Sequence, residues 1–81
     1  MKYTVMMIPH GDGGYTAFVP SLPGCVTEGP SLDEALAFAR EAATGWLETA
    51  AAHEMEIPIE AEGTVVTHID VDVPTMAGVG S

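Results

Sequence analysis

His68, Asp70 and Asp72 stand two residues apart near the end of the chain, and in an extended backbone that spacing puts all three side chains on one face. Imidazole and carboxylate are ligands for a divalent cation. Same-face neighbours lie roughly 6.5–7 Å apart at Cα along a strand, so one strand converges three ligands on a single ion poorly. A solvated or partner-facing acidic strand is therefore the expectation, with no metal and no cofactor. His10 and Asp12 form a second pair with acid–base character, in Pro9-His10-Gly11-Asp12-Gly13-Gly14. No nucleophile accompanies them. The glycines match neither a phosphate-binding loop ending in Lys-Ser/Thr nor a dinucleotide fingerprint, and a hairpin turn accounts for them. Cys25, the single cysteine, would need a histidine or another positive neighbour to become a thiolate. It reads as a small packing residue, and alone it makes neither an intrachain disulfide nor a multi-thiolate metal site. No catalytic residue is assigned.

The elements that position these residues turn on the stretch from Tyr15 to Glu34. Tyr15 to Val19 is a strand; Pro20-Ser21-Leu22-Pro23-Gly24 must then turn, because two prolines withhold donors and Gly24 can take positive φ. A short strand, Cys25 to Glu28, follows. Ser31 and Glu34 form a capping box in which the hydroxyl accepts from the backbone of residue 34 and the carboxylate returns to the backbone of residue 31. A helix therefore starts at Leu32. Upstream, Lys2 to Ile8 reads as a strand with Tyr3, Val5 and Met7 on one face and Thr4, Met6 and Ile8 on the other. Along the helix, Leu32, Ala35, Leu36, Ala39, Ala43, Trp46, Leu47 and Ala50 make one apolar stripe that should lie on the sheet. Phe38 sits off that stripe beside Gly45, as a flank of the core or as an exposed anchor for another chain. His53 closes the helix, where an imidazole complements the dipole, and Pro58 prevents continuation past Ile57. Gly63 to Val73 alternates, with Val65, Thr67, Ile69, Val71 and Val73 on one face, as a half-buried strand does. The expected architecture is α+β, an antiparallel sheet with one long helix packed on it in β-β-β-α-β order. The domain spans residues 1–74, with a flexible tail over 75–81.

Two basic residues, Lys2 and Arg40, face twelve acidic ones, a net charge of −10 with neutral histidines. Binding nucleic acid requires cations that displace counterions from phosphate, so direct nucleic-acid binding is not expected and a basic partner is. Exposure and sign nominate Glu28, Glu41, Glu48, Asp70 and Asp72 as the partner-binding surface. A chain of 81 residues buries only about 60–65% of its unfolded surface, which favours a homo-oligomer. No apolar run approaches the roughly 20 residues that span a bilayer, and the N-terminus lacks a signal-peptide layout. Together with the lone cysteine, this predicts a cytoplasmic protein that does not contact membranes.

The order strand, Gly/Asp hairpin, aromatic strand, proline elbow, short strand and capped Glu-Ala-Leu helix resembles the HicB-like antitoxin family. The matching residues are Tyr15, Pro20, Leu22, Pro23, Gly24, Cys25, Thr27, Gly29, Ser31, Glu34, Ala35, Leu36 and Ala39, then Ile57-Pro58 and the final strand through Val73. Ser21 stands where the family usually has aspartate, and Phe38 where it usually has a polar residue. The resemblance implies a partial ribonuclease-H-like fold and a role as antitoxin of a type II toxin-antitoxin system, binding and occluding a basic HicA-like mRNA interferase at its catalytic histidine. The operator-binding C-terminal domain of many members is not expected here. Two-metal nuclease chemistry needs inward carboxylates from several elements, and Lys2 to Ile8 holds none, so the chain is not expected to be an enzyme. The alternatives are a solitary HicB-like domain that binds another protein or a small molecule, and a metal-dependent hydrolase.

Overall fold

Residues 1–74 are described by the structure, a computed structural model; the tail expected over 75–81 lies outside the described residues. Three strands, β1 (Met6–Pro9), β2 (Tyr15–Phe18) and β3 (Val26–Gly29), form an antiparallel sheet in the order β1-β2-β3, and one helix, α1 (Leu32–Ala52), lies across it. The fold is α+β. Register sets Met6 beside Phe18 and Phe18 beside Val26, and Ile8 beside Thr16 and Thr16 beside Glu28. Pro9 is tolerated because β1 is an edge strand.

Each connection follows from its turn residues. Between β1 and β2 the His10 N–H donates to the Gly14 carbonyl (2.7 Å), and Gly13 takes φ 96°. The Gly14 N–H donates to the Asp12 carboxylate at 3.0 Å, the side-chain-assisted turn that Asp favours. Between β2 and β3 two consecutive β-turns share Leu22: the Leu22 N–H donates to the Val19 carbonyl and the Cys25 N–H to the Leu22 carbonyl, both at 3.0 Å. In the second turn Pro23 occupies the first central position and Gly24, at φ 80°, the second, as a type II turn requires.

Ser31 caps α1, its hydroxyl accepting from the Glu34 N–H at 3.2 Å. The return half of the capping box differs from expectation. The Ser31 hydroxyl donates to the Glu34 carboxylate at 3.1 Å, so the carboxylate engages the hydroxyl rather than the backbone of residue 31. At the other end His53 is the C-cap, the Glu54 N–H donates to the Ala51 carbonyl and the Met55 N–H to the Ala50 carbonyl. This is a Schellman arrangement, which calls for glycine at the left-handed position. Glu54 occupies it at φ 55°, with a negative charge at the negative end of the helix dipole. Glu54→Gly is expected to stabilise the domain by about 0.5–1 kcal/mol, read as a higher midpoint in urea unfolding with an unchanged slope.

The core lies between α1 and the odd-numbered face of the sheet. Ala17, Ala35 and Ala39 form one buried cluster, flanked by Val5, Met7 and Tyr15. Val19, Leu22 and Cys25 form a second, under Ala42, Ala43, Trp46 and Leu47. Small residues at 17, 35 and 39 let the helix approach the strands closely.

The fourth strand expected from Gly63 to Val73 is a correction. Residues 64–73 form no β-ladder, and every residue from 61 to 74 is exposed. The physical reason is a tight turn. The strand expected from Lys2 to Ile8 joins the ladder only from Met6; Pro58 and Glu60 lie against the segment before it, where the Tyr3 hydroxyl donates to the Pro58 carbonyl and the Glu60 carboxylate accepts from the Thr4 N–H and hydroxyl. Then the Thr64 N–H and hydroxyl both donate to the Ala61 carbonyl, and Gly63 takes φ 84°. The chain is thereby turned off β1 before it could pair there. The observed order is β1-β2-β3-α1 followed by an extended arm.

Candidate functional site

The fold decides whether the reactive side chains converge. His10 and Asp12 are absorbed by the β1–β2 turn: the His10 ring nitrogen Nε2 lies 2.7 Å from the Thr16 hydroxyl and 3.6 Å from the Glu28 carboxylate, and Asp12 holds Gly14. Glu28 is mostly exposed, so its contact with His10 is screened and weak. Cys25 is buried beside Val19 and Leu22, and burial pushes its thiol above 9.0, the ordinary value. A protonated, enclosed thiol is not a nucleophile at neutral pH. His68, Asp70 and Asp72 lie on the exposed arm. Among the described residues no group of three or more His, Cys, Asp or Glu side chains is placed to hold a metal ion.

What remains is surface. The five acidic residues expected to form one interface fall on three. Glu41 and Glu48 are exposed on the solvent side of α1, seven residues apart and in line with Glu34, so three carboxylates repeat about every 10.5 Å along one ridge. Glu28 projects from the opposite face of the sheet, among the even-numbered residues that point away from the helix. Asp70 and Asp72 are on the arm. The structure brings Glu41 and Glu48 together, and separates them from Glu28 by the thickness of the domain.

The face around Glu28 was not anticipated. Met6, Phe18 and Val26 form a cross-strand apolar row, and Ile8 stands beside Thr16 and Glu28 in the next. No second layer covers this face among the described residues, and Val26 and Ile8 are 57% and 47% exposed. The signal was in β1, whose residues are apolar on both faces, a pattern that belongs to strands covered on both sides.

Trp46 and Phe38 resolve differently. The Trp46 indole nitrogen donates to the Pro23 carbonyl at 2.9 Å, so the ring ties α1 to the elbow as well as packing on Leu22. Phe38 is 43% exposed, on the flank of α1 away from the β1 side. No described helix is long and apolar enough to cross a membrane.

Comparison with known proteins agrees with this geometry. The family described as HicB_like antitoxin of bacterial toxin-antitoxin system matches residues 3–78. A UPF0150 protein of Thermoplasma acidophilum is 38% identical over 68 residues, covering 84% of this chain and 99% of the relative. A UPF0150 protein of Synechocystis is 38% identical over 63 residues, covering 76% and 86%. The crystal structure of the N-terminal domain of the Burkholderia pseudomallei antitoxin HicB superposes with a TM-score of 0.68 at 22% identity, over 90% of this chain and 100% of that one. At that identity the likeness establishes the fold.

Proposed function

This chain belongs to the HicB_like antitoxin family, and from that premise we propose that it inhibits a basic HicA-like mRNA interferase by lying over the toxin's RNA-binding surface and catalytic histidine. It acts in the cytoplasm as a homo-oligomer, without catalysis of its own and without binding nucleic acid directly. The observation that carries the reading is the charge together with its placement. A net charge of −10 steers the chain to a surface built for phosphate. The exposed ridge of Glu34, Glu41 and Glu48 on α1 presents carboxylates in a row, where they compete with an RNA backbone for the same cations. A basic toxin would meet this ridge first, and Glu28, Asp70 and Asp72 extend the negative field on the other surfaces.

An RNA-cleavage assay with the toxin encoded beside this chain tests the proposal. The intact chain is expected to stop cleavage near equimolar ratio. Glu41→Lys combined with Glu48→Lys is expected to weaken inhibition about tenfold or more at low salt, because each reversal converts an attraction into a repulsion, and the difference should shrink above about 0.5 M salt. Cleavage at full rate under a large excess of the chain would reject the toxin-masking reading in favour of a domain with another protein partner.

A further inference from the structure

The arm and the β1 edge have complementary defects. Residues 64–73 alternate as a strand does, yet they form no ladder, and Val65, Ile69, Val71 and Val73 are 76, 82, 69 and 62% exposed. The arm makes the molecule long: its radius of gyration is 16.1 Å and its longest extent 51 Å, against roughly 12 Å for the radius of a globular chain of this length. Meanwhile β1 is an edge, with no strand on its outer side among the described residues. Between that edge and α1 runs an open groove of about 440 Å³, whose walls include Val5, Val19, Leu36, Ala43 and Leu47. Leu36, which a fourth strand would cover, is 38% exposed.

We propose that residues 64–73 of one copy add as a fourth strand to the β1 edge of a second copy, reciprocally, so that two copies close a two-fold dimer. Such β-augmentation satisfies the backbone groups of both the arm and the edge. Val65, Thr67, Ile69, Val71 and Val73 then fill the groove. The turn at Ala61–Thr64 directs the arm away from its own β1, so the vacant position is filled in trans.

Three observations select this edge and a second copy as the occupant. Both cations of the chain border it: Arg40 lines the groove, Lys2 lies in the segment that leads into β1, and neither forms an ion pair among the described residues. With Val65, Ile69 and Val71 in the groove, Asp70 and Asp72 lie on the opposite face of the added strand, on the side of Lys2 rather than of Arg40. On the β3 side the chain's own exit from α1 narrows the approach to the sheet edge, with Met55 lining the opening beside Val26 and Trp46. Finally, ten arm residues and the ten that line the groove amount to about twenty per copy, the lower end of the roughly 20–30 residues a side of a stable interface. In the completed sheet Asp70 and Asp72 share the uncovered face with Glu28, on either side of the apolar row of Met6, Phe18 and Val26.

The inference stands apart from the toxin-masking reading, and sedimentation of the full chain alone tests it. The intact chain is expected to be a dimer at micromolar concentration. Ile69→Asn with Val71→Asn, neutral changes on an exposed segment, is expected to raise the dimer dissociation constant at least a hundredfold while leaving the helical circular dichroism unchanged. In mixed samples of one copy labelled with ¹⁵N and the other with ¹³C, NMR contacts between the arm and β1 should connect different copies. Salt should tighten this dimer, because each copy carries the same excess charge. A monomeric intact chain, a dimer insensitive to the double variant, or arm-to-β1 contacts confined to one copy would each overturn the proposal.

Discussion

Leu22→Ala is expected to be the most damaging single truncation in this domain, lowering stability by about 2–5 kcal/mol. Among the described residues Leu22 is the one large side chain that is fully buried, and it sits at the junction of the two turns that join β2 to β3. The backbone on either side is fixed by Pro20, Pro23 and the hydrogen bonds of Val19, Leu22 and Cys25. Trp46 is tied above it through the Pro23 carbonyl. Neither wall can collapse into the space a methyl side chain would leave, and the cost of a cavity rises with the volume that persists. A chain of 81 residues has a total stability of about 4–12 kcal/mol, so the loss is a large share of the whole. Thermal unfolding followed by circular dichroism should show the midpoint fall by more than about 10 °C. A fall below about 3 °C would mean that the elbow is not anchored by this side chain.

The second large effect comes from adding one carbon. A Cβ at Gly29 would lie 2.6 Å from the Ala35 backbone nitrogen and 2.7 Å from its Cα. Those atoms belong to the first turns of α1 and cannot swing aside as a side chain can. Gly29→Ala must therefore lift the start of the helix off β3 or bend the strand, and it is expected to cost about 2–3 kcal/mol or more. Gly45 supplies the control, since a Cβ there meets nothing within 4 Å and the residue lies inside α1. Gly45→Ala is expected to stabilise by about 0.5–1 kcal/mol through the helix preference of alanine. The same chemical change with opposite sign at two positions of one protein, measured by urea unfolding, separates close packing from backbone entropy. Equal effects at both sites would show that the approach of Ala35 to Gly29 is not as close as the structure has it.

The link from these residues to function is mechanical. Gly29 and Leu22 hold β3 to the helix and to β2, and β3 carries Glu28 and Val26 onto the uncovered sheet face. Variants at the two positions should lose inhibition of a toxin in proportion to unfolded chain, whereas Glu41→Lys with Glu48→Lys should lose it with the fold intact. Comparing the two classes distinguishes a damaged scaffold from a damaged surface.

Local features were legible from the residues alone. The Pro23-Gly24 pair dictates a turn, Ser31 dictates where α1 begins, the three-and-four spacing of apolar residues dictates the buried side of the helix, and the excess of carboxylates dictates the sign of the surface. Each depends on dihedral preferences or on neighbours within a few positions, so nothing distant can alter it. The final alternating stretch is different. Its period of two specifies an extended backbone with an apolar face, but a strand is completed by a partner, and the partner lies elsewhere. Only the tertiary structure showed that the turn at Ala61–Thr64 takes residues 64–73 away from β1. Likewise, sign and exposure marked Glu28, Glu41, Glu48, Asp70 and Asp72, while the packing of helix on sheet decided that they face three directions. Pairing and sidedness are set by contacts between residues far apart in the chain, and no local pattern encodes which of those contacts forms.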